Sequence, residues 1–466
     1  MLQFVDDSRF SPLNRRVWLQ LGLGAAAGLT ATAPQAALAG AGKAKTVLFV
    51  VCGGGQSQLE TWDPKPAAPS QVRGEFGSIE SAIPGVRVGE HLPKMARLLD
   101  RCALIRTMSH EDLDHGSAVY LTLTGFYHQQ RSGNPNPAPT DRPTLGALVE
   151  RHQKSTTFIR SAVHLNGPIL VPLEASPGQT AGFLGPSVEP LQIGDVTRGS
   201  AAVPGLEQFP DLPEVRLARR QSLLAGLDGF LKEHELRATA GQSSAWRQAF
   251  DLLHRPAARR AFHLEAESES VRNAYGRHRT GQACLLARRL VEAEVPWITL
   301  FWNHSVRGQD DAPDDTTRYG WDTHNDIFYA LREHLLPRFD HSFAHLLQDL
   351  DERGLLDSTL VVCAGEFGRA PLVALERNFA GSSPGRKHWA ACYSVLLAGA
   401  GVRPGTVIGQ SDRRAAYPDS RAYGPWDLAA TMFSAAGISP ETILHDGQQR
   451  PFPLCEGQPI TALYTG

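Results

Sequence analysis

A short segment in the second half of the chain carries side chains of the types that bind divalent metals. It reads RYGWDTHND, residues 318–326, and contains Asp322, His324 and Asp326. Carboxylate oxygen and neutral imidazole nitrogen are common ligands of divalent cations. Asp and Asn also occur at turns and helix starts where no metal is bound. The segment therefore predicts either a metal site or an ordinary turn, and residues elsewhere in the chain must decide between them.

Metal-binding residue types recur in three other segments. They are the loop 110–115, with His110, Glu111, Asp112, Asp114 and His115; GEFGR, with Glu366; and GRKHW, with His388. We expect Asp322, His324 and His388 to bind a metal, with Glu366 as a further ligand. Two carboxylates and two imidazoles suit zinc, which is the expected ion, and also manganese or iron. Calcium is a further alternative, although it takes more oxygen ligands and fewer histidines.

Two arginines and one serine are candidates for binding an anion near such a metal. Arg369 and Arg386 either hold the oxygen pair of a phosphate, sulfate or carboxylate, or form salt bridges with neighbouring carboxylates. Ser57 follows three glycines, whose backbone N–H groups could approach an anion, and the alternative is a plain turn. The glycines match neither a Walker loop nor a G-x-G-x-x-G fingerprint, which argues against a dinucleotide-dependent oxidoreductase.

The elements that must position these residues are predicted by apolar runs and by helical spacing. Apolar runs typical of buried parallel strands cover residues 46–52, 103–108, 296–302, 358–365 and 392–401. Helical spacing covers residues 282–294 and 325–354, with Gly354 as the C-terminal stop. The alternation predicts an α/β fold with a mainly parallel sheet sandwiched by helices. Ligands of such folds bind at the carboxyl ends of the strands, where the polar residues named above occur.

The N-terminal segment resembles an export signal rather than part of the fold. Arg15 and Arg16 precede a Gly/Ala/Leu-rich stretch that ends in Ala37-Leu38-Ala39. This pattern predicts a twin-arginine signal peptide over residues 1–39, cleaved after Ala39 or kept as an anchor. We expect a periplasmic or secreted protein that meets the twin-arginine translocase during export. Residues 45–466 are predicted to form a single domain with a helical insertion at about 211–280 and no membrane span.

Composition argues against a nucleic-acid partner and against a disulfide framework. The chain has 46 Lys and Arg against 48 Asp and Glu, a balance that gives no attraction to nucleic acid. Its six cysteines form no C-x-x-C pair and most lie in apolar surroundings, which indicates small buried hydrophobes rather than a disulfide framework, with a single disulfide as the alternative.

The order of these segments resembles a known family. The chain carries GGGQSQLETWDPKP, RTMSH, HGSAVYLTLTG, WDTHND, GEFGR and GRKHW in sequence. From about residue 12 to residue 440 it resembles the bacterial domain-of-unknown-function 1501 family, which is itself similar to the alkaline phosphatase and sulfatase superfamily. The resemblance implies an alkaline phosphatase/sulfatase-like fold.

The same resemblance implies roles for individual residues. His115 stands at the position of the superfamily nucleophile, at a helix start. Glu366 matches a ligand aspartate, and WDTH and His388 match further metal ligands. The chain departs from the superfamily pattern because Phe367 replaces a second ligand and no Ser, Thr or Cys occupies the nucleophile position. His115 is therefore a metal ligand, a nucleophile or a general acid.

Together these features predict an exported metal-dependent hydrolase of phosphate or sulfate esters. Its substrate would be a small-molecule or glycan ester, attacked by metal-activated water or by His115, with Arg369 and Ser57 as further catalytic candidates. The alternative is a non-catalytic secreted protein that binds a metal, an anion or a glycan on the same fold.

Overall fold

The part of the chain that the computed structural model describes begins at residue 42. It comprises residues 42–465 except for 156–157, 159, 172, 198–259 and 308–318. The predicted signal at 1–39 and most of the predicted insertion at 211–280 lie outside the described residues. Within those residues, no helix has the length and apolar character needed to span a membrane.

Strands and helices alternate through most of the described chain. The strands are β1 (Thr46–Val51), β2 (Ser78–Glu80), β3 (Arg87–Gly89), β4 (Cys102–Met108), β5 (Ala162–Leu165), β6 (Leu191–Ile193), β7 (Trp297–Phe301), β8 (Thr359–Ala364), β9 (Gly368–Arg369), β10 (His388–Trp389), β11 (Tyr393–Ala398), β12 (Thr406–Ile408), β13 (Ile443–His445) and β14 (Pro451–Pro453). The α-helices are α1 (Ser70–Arg73), α2 (Pro93–Leu98), α3 (His115–Thr124), α4 (Leu145–His152), α5 (Glu269–Tyr275), α6 (Arg279–Glu292), α7 (Ile327–Ala330), α8 (Leu336–Glu352) and α9 (Pro425–Ala435).

A large mixed sheet forms the centre of the fold. Its order in the described residues is β12-β4-β11-β8-β1-β7-β5-β6. Strand β11 runs antiparallel to both of its neighbours, and the other neighbouring pairs are parallel. The predicted mainly parallel sheet is confirmed, and each of the five apolar runs forms one of its strands.

Helices cover both faces of this sheet because its strands are apolar on both sides. Along β1, Leu48 and Val50 belong to one hydrophobic core, and the alternating Phe49 and Val51 belong to the other. The first core is closed by α2, α6 and α8, and the second by α3, α4 and α9. The predicted sandwich of helices around the sheet is therefore confirmed.

The long helical pattern at 325–354 forms two α-helices joined by one wider turn. A π-helical segment, Leu331–Leu335, connects α7 to α8. Pro337 lies in the first turn of α8 and has no N–H to donate back to the preceding turn, so a regular α-helix could not continue through it. Gly354 follows the end of α8 with φ +66°, which agrees with its predicted place as the helix stop.

A segment rich in Pro, Gly and Ser contains short regular elements. Residues 67–90 include α1 and the antiparallel pair β2–β3. The strands of this pair are three residues long, too short for the alternation of apolar and polar side chains to reveal them.

Candidate metal centre

The polar residues predicted to act together meet at the carboxyl edge of the sheet. Glu366 follows β8, and His115 begins α3 after the loop that leaves β4. His388 lies in β10, just before β11. Because β11 is antiparallel, its beginning lies at the same edge as the ends of β4 and β8, and this direction brings His388 to the other residues.

Three imidazoles surround one carboxylate oxygen. Oδ1 of Asp322 lies 3.1 Å from Nε2 of His115, 3.1 Å from Nε2 of His324 and 3.2 Å from Nε2 of His388. The Nε2 atoms of His324 and His388 are 2.8 Å apart. We refer to His115, Asp322, His324 and His388 as the imidazole–carboxylate cluster.

Hydrogen bonds on the far side of two rings fix which nitrogen faces the cluster. Nδ1 of His115 donates to Oε1 of Glu366 over 2.5 Å, and Nδ1 of His388 donates to the carbonyl of Leu113 over 2.6 Å. Since a carboxylate and a carbonyl accept, each Nδ1 carries a proton, and Nε2 is the atom directed inward. In metal sites such outer acceptors orient the histidine ligands.

Burial and charges within the cluster favour an ionised carboxylate and two neutral imidazoles, because burial lowers the pKa of His324 as well as that of His388. Burial raises the pKa of Asp322, but the positive charges of His115 and Arg369 outweigh it and hold this pKa well below its usual range. Burial, together with repulsion from His115, lowers the pKa of His388 to about 3. Burial also acts to lower the pKa of His115, yet Asp322 and Glu366 raise it to about 9. The two carboxylates thus draw positive charge to this position.

Arg369 is completely buried and forms an ion pair with Asp322. Its Nη2 lies 2.7 Å from Asp322 Oδ1 and also donates to the carbonyl of Gly54, and its Nε donates to the carbonyl of Gly55 over 3.1 Å. The guanidinium is therefore engaged by Asp322 and by backbone carbonyls, those of Gly54, Gly55 and Arg386.

Glu366 is also completely buried, beyond His115 rather than among the converging Nε2 atoms. Besides accepting from His115, its two carboxylate oxygens accept from the backbone N–H of Gly54 at 2.8 and 3.1 Å. The carboxylate therefore connects the turn after β1 to the imidazole at the start of α3.

Ser57 is separate from the cluster. Its hydroxyl donates to Glu60, and Glu60 is paired with Arg386 at 2.6 Å in an ion pair with no exposed side-chain surface. Of the two alternatives for Arg386, an anion site or a salt bridge, the structure shows the salt bridge. Arg386 lies two residues before His388 and anchors that segment.

The acidic residues Asp112 and Asp326 lie near the cluster in the chain, but their carboxylates accept hydrogen bonds from loops and are not part of the cluster. Asp112 accepts from Ser117 Oγ at 2.6 Å and from the Ser132 N–H at 3.0 Å. Asp326, the third metal-binding residue type of the segment 318–326, precedes α7 with φ +52°. Its carboxylate accepts from the backbone N–H groups of Ser382 and Ser383, so it fixes a distant loop rather than the helix start.

The donor set of the cluster fits a divalent cation. Among the described residues, the ligand atoms of His115, Asp322 and His388 lie within 4.8 Å of one another. Nε2 of His115 is buried and outside hydrogen-bond geometry although it is directed at Asp322. Donor atoms around a tetrahedral ion with bonds of about 2.0–2.1 Å are separated by roughly 3.3 Å. The three separations from Asp322 Oδ1, 3.1–3.2 Å, are close to this value.

Sequence reasoning missed three groups that shape the site. The carbonyl of Leu113 and the N–H of Gly54 act through the backbone, so their residue types carry no signal. Phe379 stacks on the His324 ring with 3.7 Å between ring centroids and 5° between planes. It lies outside any helix or strand, where no periodicity marks it.

Fold and site together define an α/β protein with an imidazole–carboxylate cluster at the carboxyl edge of a mainly parallel sheet. Residues 44–464 match the family described as "Protein of unknown function (DUF1501)". The chain belongs to this family, and the resemblance inferred from its motifs is confirmed. No curated protein matches the chain.

Solved structures with a distant likeness include three enzymes. A phosphonate monoester hydrolase from Silicibacter pomeroyi is 14% identical, with a TM-score of 0.42 over 90% of this chain and 76% of that chain. A sulfatase from Pseudoalteromonas sp. is 14% identical, with a TM-score of 0.39 over 90% and 72%. An alkaline phosphatase from the Antarctic bacterium TAB5 is 11% identical, with a TM-score of 0.38 over 84% and 98%. At such values the likeness carries no argument about activity.

Proposed function

We propose that the protein is an exported metal-dependent hydrolase of phosphate or sulfate esters, with its cation held by His115, Asp322, His324 and His388. The convergence of three Nε2 atoms on one carboxylate oxygen carries this proposal. A buried group of this kind is costly unless its members share a ligand or a proton, because each imidazole has been withdrawn from water. A ligand set of three imidazoles and one carboxylate suits zinc, manganese or iron better than calcium.

The residues around the cluster divide into ligands and supports under this proposal. When bound, the cation would polarise an ester oxygen and lower the pKa of bound water to about 7. Glu366 holds the proton on Nδ1 of His115 and thereby directs Nε2 inward. The Leu113 carbonyl does the same for His388. Arg369 keeps Asp322 ionised and in place, which assigns it a positioning role rather than contact with the substrate.

A non-catalytic binding protein on the same fold remains the second candidate. One observation favours it: among the described residues, the hydrogen bonds and ion pairs of His115, Asp322 and His388 include no hydroxyl or thiol side chain that could act as a nucleophile. Hydrolysis would then depend on attack by water. Hydrolysis by water requires the cation. The binding protein would hold an anion or a glycan without any reaction.

Metal content and turnover of the exported protein test the proposal together. The full chain, recovered after export through a working twin-arginine pathway, is expected to hold about one divalent ion per chain. The variants Asp322→Ala and His388→Ala should lose it, because each removes a donor from the centre of the cluster. His445→Ala, at an exposed histidine, serves as the matched control.

The same preparations are then given para-nitrophenyl phosphate, bis(para-nitrophenyl) phosphate and para-nitrophenyl sulfate. Turnover in the wild type and in His445→Ala, absent in both cluster variants, would support a hydrolase. A bound ion without turnover of any ester would favour the binding protein. A wild type as poor in metal as Asp322→Ala would contradict the metal centre itself.

A further inference from the structure

An exposed aromatic ring stands directly against the imidazole–carboxylate cluster. Phe379 has 42% of its surface exposed although one face of its ring is stacked on His324. His324 Nε2 belongs to the cluster, so only one imidazole ring separates Phe379 from the converging Nε2 atoms. A large apolar side chain exposed beside a polar site suggests a contact with a ligand.

Hydrogen bonds hold the segment that carries this ring in one position. The Asn325 amide donates to the carbonyls of Glu376, Phe379 and Ala380 at 2.9–3.2 Å and accepts from the Glu376 N–H at 2.8 Å. Asp326 accepts from the backbone of Ser382 and Ser383 in the same segment. The residues that follow His324 in the chain thus fix the position of Phe379, which makes its exposure a defined feature of the site.

A second exposed apolar side chain lies beside another imidazole of the cluster. Leu113 is 46% exposed, and its own carbonyl accepts from Nδ1 of His388. Exposed apolar side chains therefore accompany two of the four members of the cluster, His324 and His388.

We infer that the substrate of this site is an ester whose organic part is aromatic or alkyl, and that Phe379 is the residue that selects it. This inference rests on the proposed function, since it names the group that the ester carries. An apolar group that covers the exposed part of Phe379 removes this surface from water, which is favourable. The hydroxyls of a sugar or of glycerol would lose water there without gaining a hydrogen-bond partner from the ring.

Binding of two phosphonates that differ only in their apolar part tests the inference without requiring turnover. Phenylphosphonate and methylphosphonate are titrated into the metal-loaded full chain by calorimetry. We expect phenylphosphonate to bind about tenfold more tightly, because its ring can stack on Phe379. In Phe379→Ala this ratio should fall to about one while the affinity for methylphosphonate stays the same.

Two further variants separate stacking from general damage. Phe379→Tyr keeps the ring and should keep the ratio. Tyr329→Ala removes another exposed aromatic ring, one that packs against Tyr319 and His334 instead of the cluster, and should also leave the ratio unchanged.

Each other outcome has a defined meaning. Equal affinities for the two phosphonates in the wild type would overturn the inference and leave the proposed function intact. A tenfold ratio that survives in Phe379→Ala would overturn the role of Phe379. If neither phosphonate binds the metal-loaded chain, the proposed anion site fails, and the inference fails with it.

Discussion

The carboxylate of Glu366 determines which nitrogen of His115 faces the cluster. A histidine has two ring nitrogens, and the acceptor bound to one of them decides which is left for a metal. Here the acceptor is completely buried and held by the Gly54 N–H, so the arrangement does not depend on solvent. Glu366 is therefore placed to orient His115 rather than to bind the metal itself.

Glu366→Gln is expected to weaken metal binding while the protein still folds. Glutamine keeps an oxygen that can accept from His115 Nδ1. However, it removes the negative charge that makes Nε2 of this imidazole a stronger electron-pair donor to the metal. Loss of such outer groups typically reduces metal affinity by about 10- to 100-fold. Competition with a chelator measures this change. Asp340→Asn, at a buried carboxylate that accepts from the backbone of Lys94 and Met95, should leave the metal affinity unaltered. Equal affinities for Glu366→Gln and the wild type would contradict the positioning role.

Residue types predicted where the site lies better than how its members are arranged. Asp322, His324 and His388 are suitable ligands at strand ends, and this was enough to place them together. Glu366, through a carboxylate oxygen, and His115, through an imidazole nitrogen, are equally suitable metal ligands, so the sequence could not tell which lies nearer the centre. That order depends on side-chain direction, and the contacts that set it involve the backbone of Gly54 and Leu113.

The turn after β1 is the element on which the two sides of the site depend. Gly54 donates its N–H to Glu366 and its carbonyl accepts from Arg369, so this one residue contacts the supports of both His115 and Asp322. Its φ of +114° is accessible to glycine at low cost. A Cβ at this position would lie 2.5 Å from the backbone nitrogen of Asp322.

Gly54→Ala should therefore reduce both the stability and the metal content of the protein. The methyl group would push against the backbone of Trp321 and Asp322, which cannot move without displacing the cluster. We expect a loss of unfolding free energy of about 3 kcal/mol or more, from backbone strain and from the clash.

Gly85→Ala is the matched control for backbone conformation. Gly85 has φ +76°, but no atom lies within 4 Å of a Cβ built there. This variant should lose about 1 kcal/mol from the positive φ alone and keep its metal. Denaturant unfolding and metal analysis of both variants measure the difference. Equal losses in the two would mean that close packing against Asp322 does not constrain the turn.

The existence of the main strands was predictable, but the direction of one of them was not. The runs that form β1 and β8 are continuously apolar, as expected for strands buried on both faces. The run that forms β11 is equally apolar, although β11 is antiparallel. A buried strand has the same pattern in either direction, so only pairing with β4 and β8 reveals how it runs. The short strands β5 and β6 were missed because three or four residues give too little periodicity.

At the scale of the whole molecule, a sheet covered on both faces leaves its interior with little water. Most of that interior is aliphatic and aromatic, but β5 contributes His164, which is fully buried. Nδ1 of its ring lies 3.1 Å from the Gln192 amide, and the ring stands edge-on to Phe301. Burial lowers the pKa of His164 to about 3, so the folded protein keeps this imidazole neutral well into the acidic range.

The buried His164 should make the folded protein sensitive to acid through proton uptake by the unfolded chain. Its pKa is about 3 when folded and close to 6.5 when exposed, so between these values only the unfolded chain binds the proton. The contribution to stability is therefore complete above pH of about 6.5 and is lost as pH falls, by about 1.4 kcal/mol per pH unit.

In His164→Gln, the unfolding free energy should fall less steeply as pH falls, with a slope smaller by about 1.4 kcal/mol per pH unit. Urea unfolding from neutral pH to about pH 4, with excess chelator to remove linked metal binding, measures both slopes, and His445→Gln controls for loss of an exposed imidazole. Parallel curves for the wild type and His164→Gln would show that His164 takes up its proton equally in the folded and unfolded states.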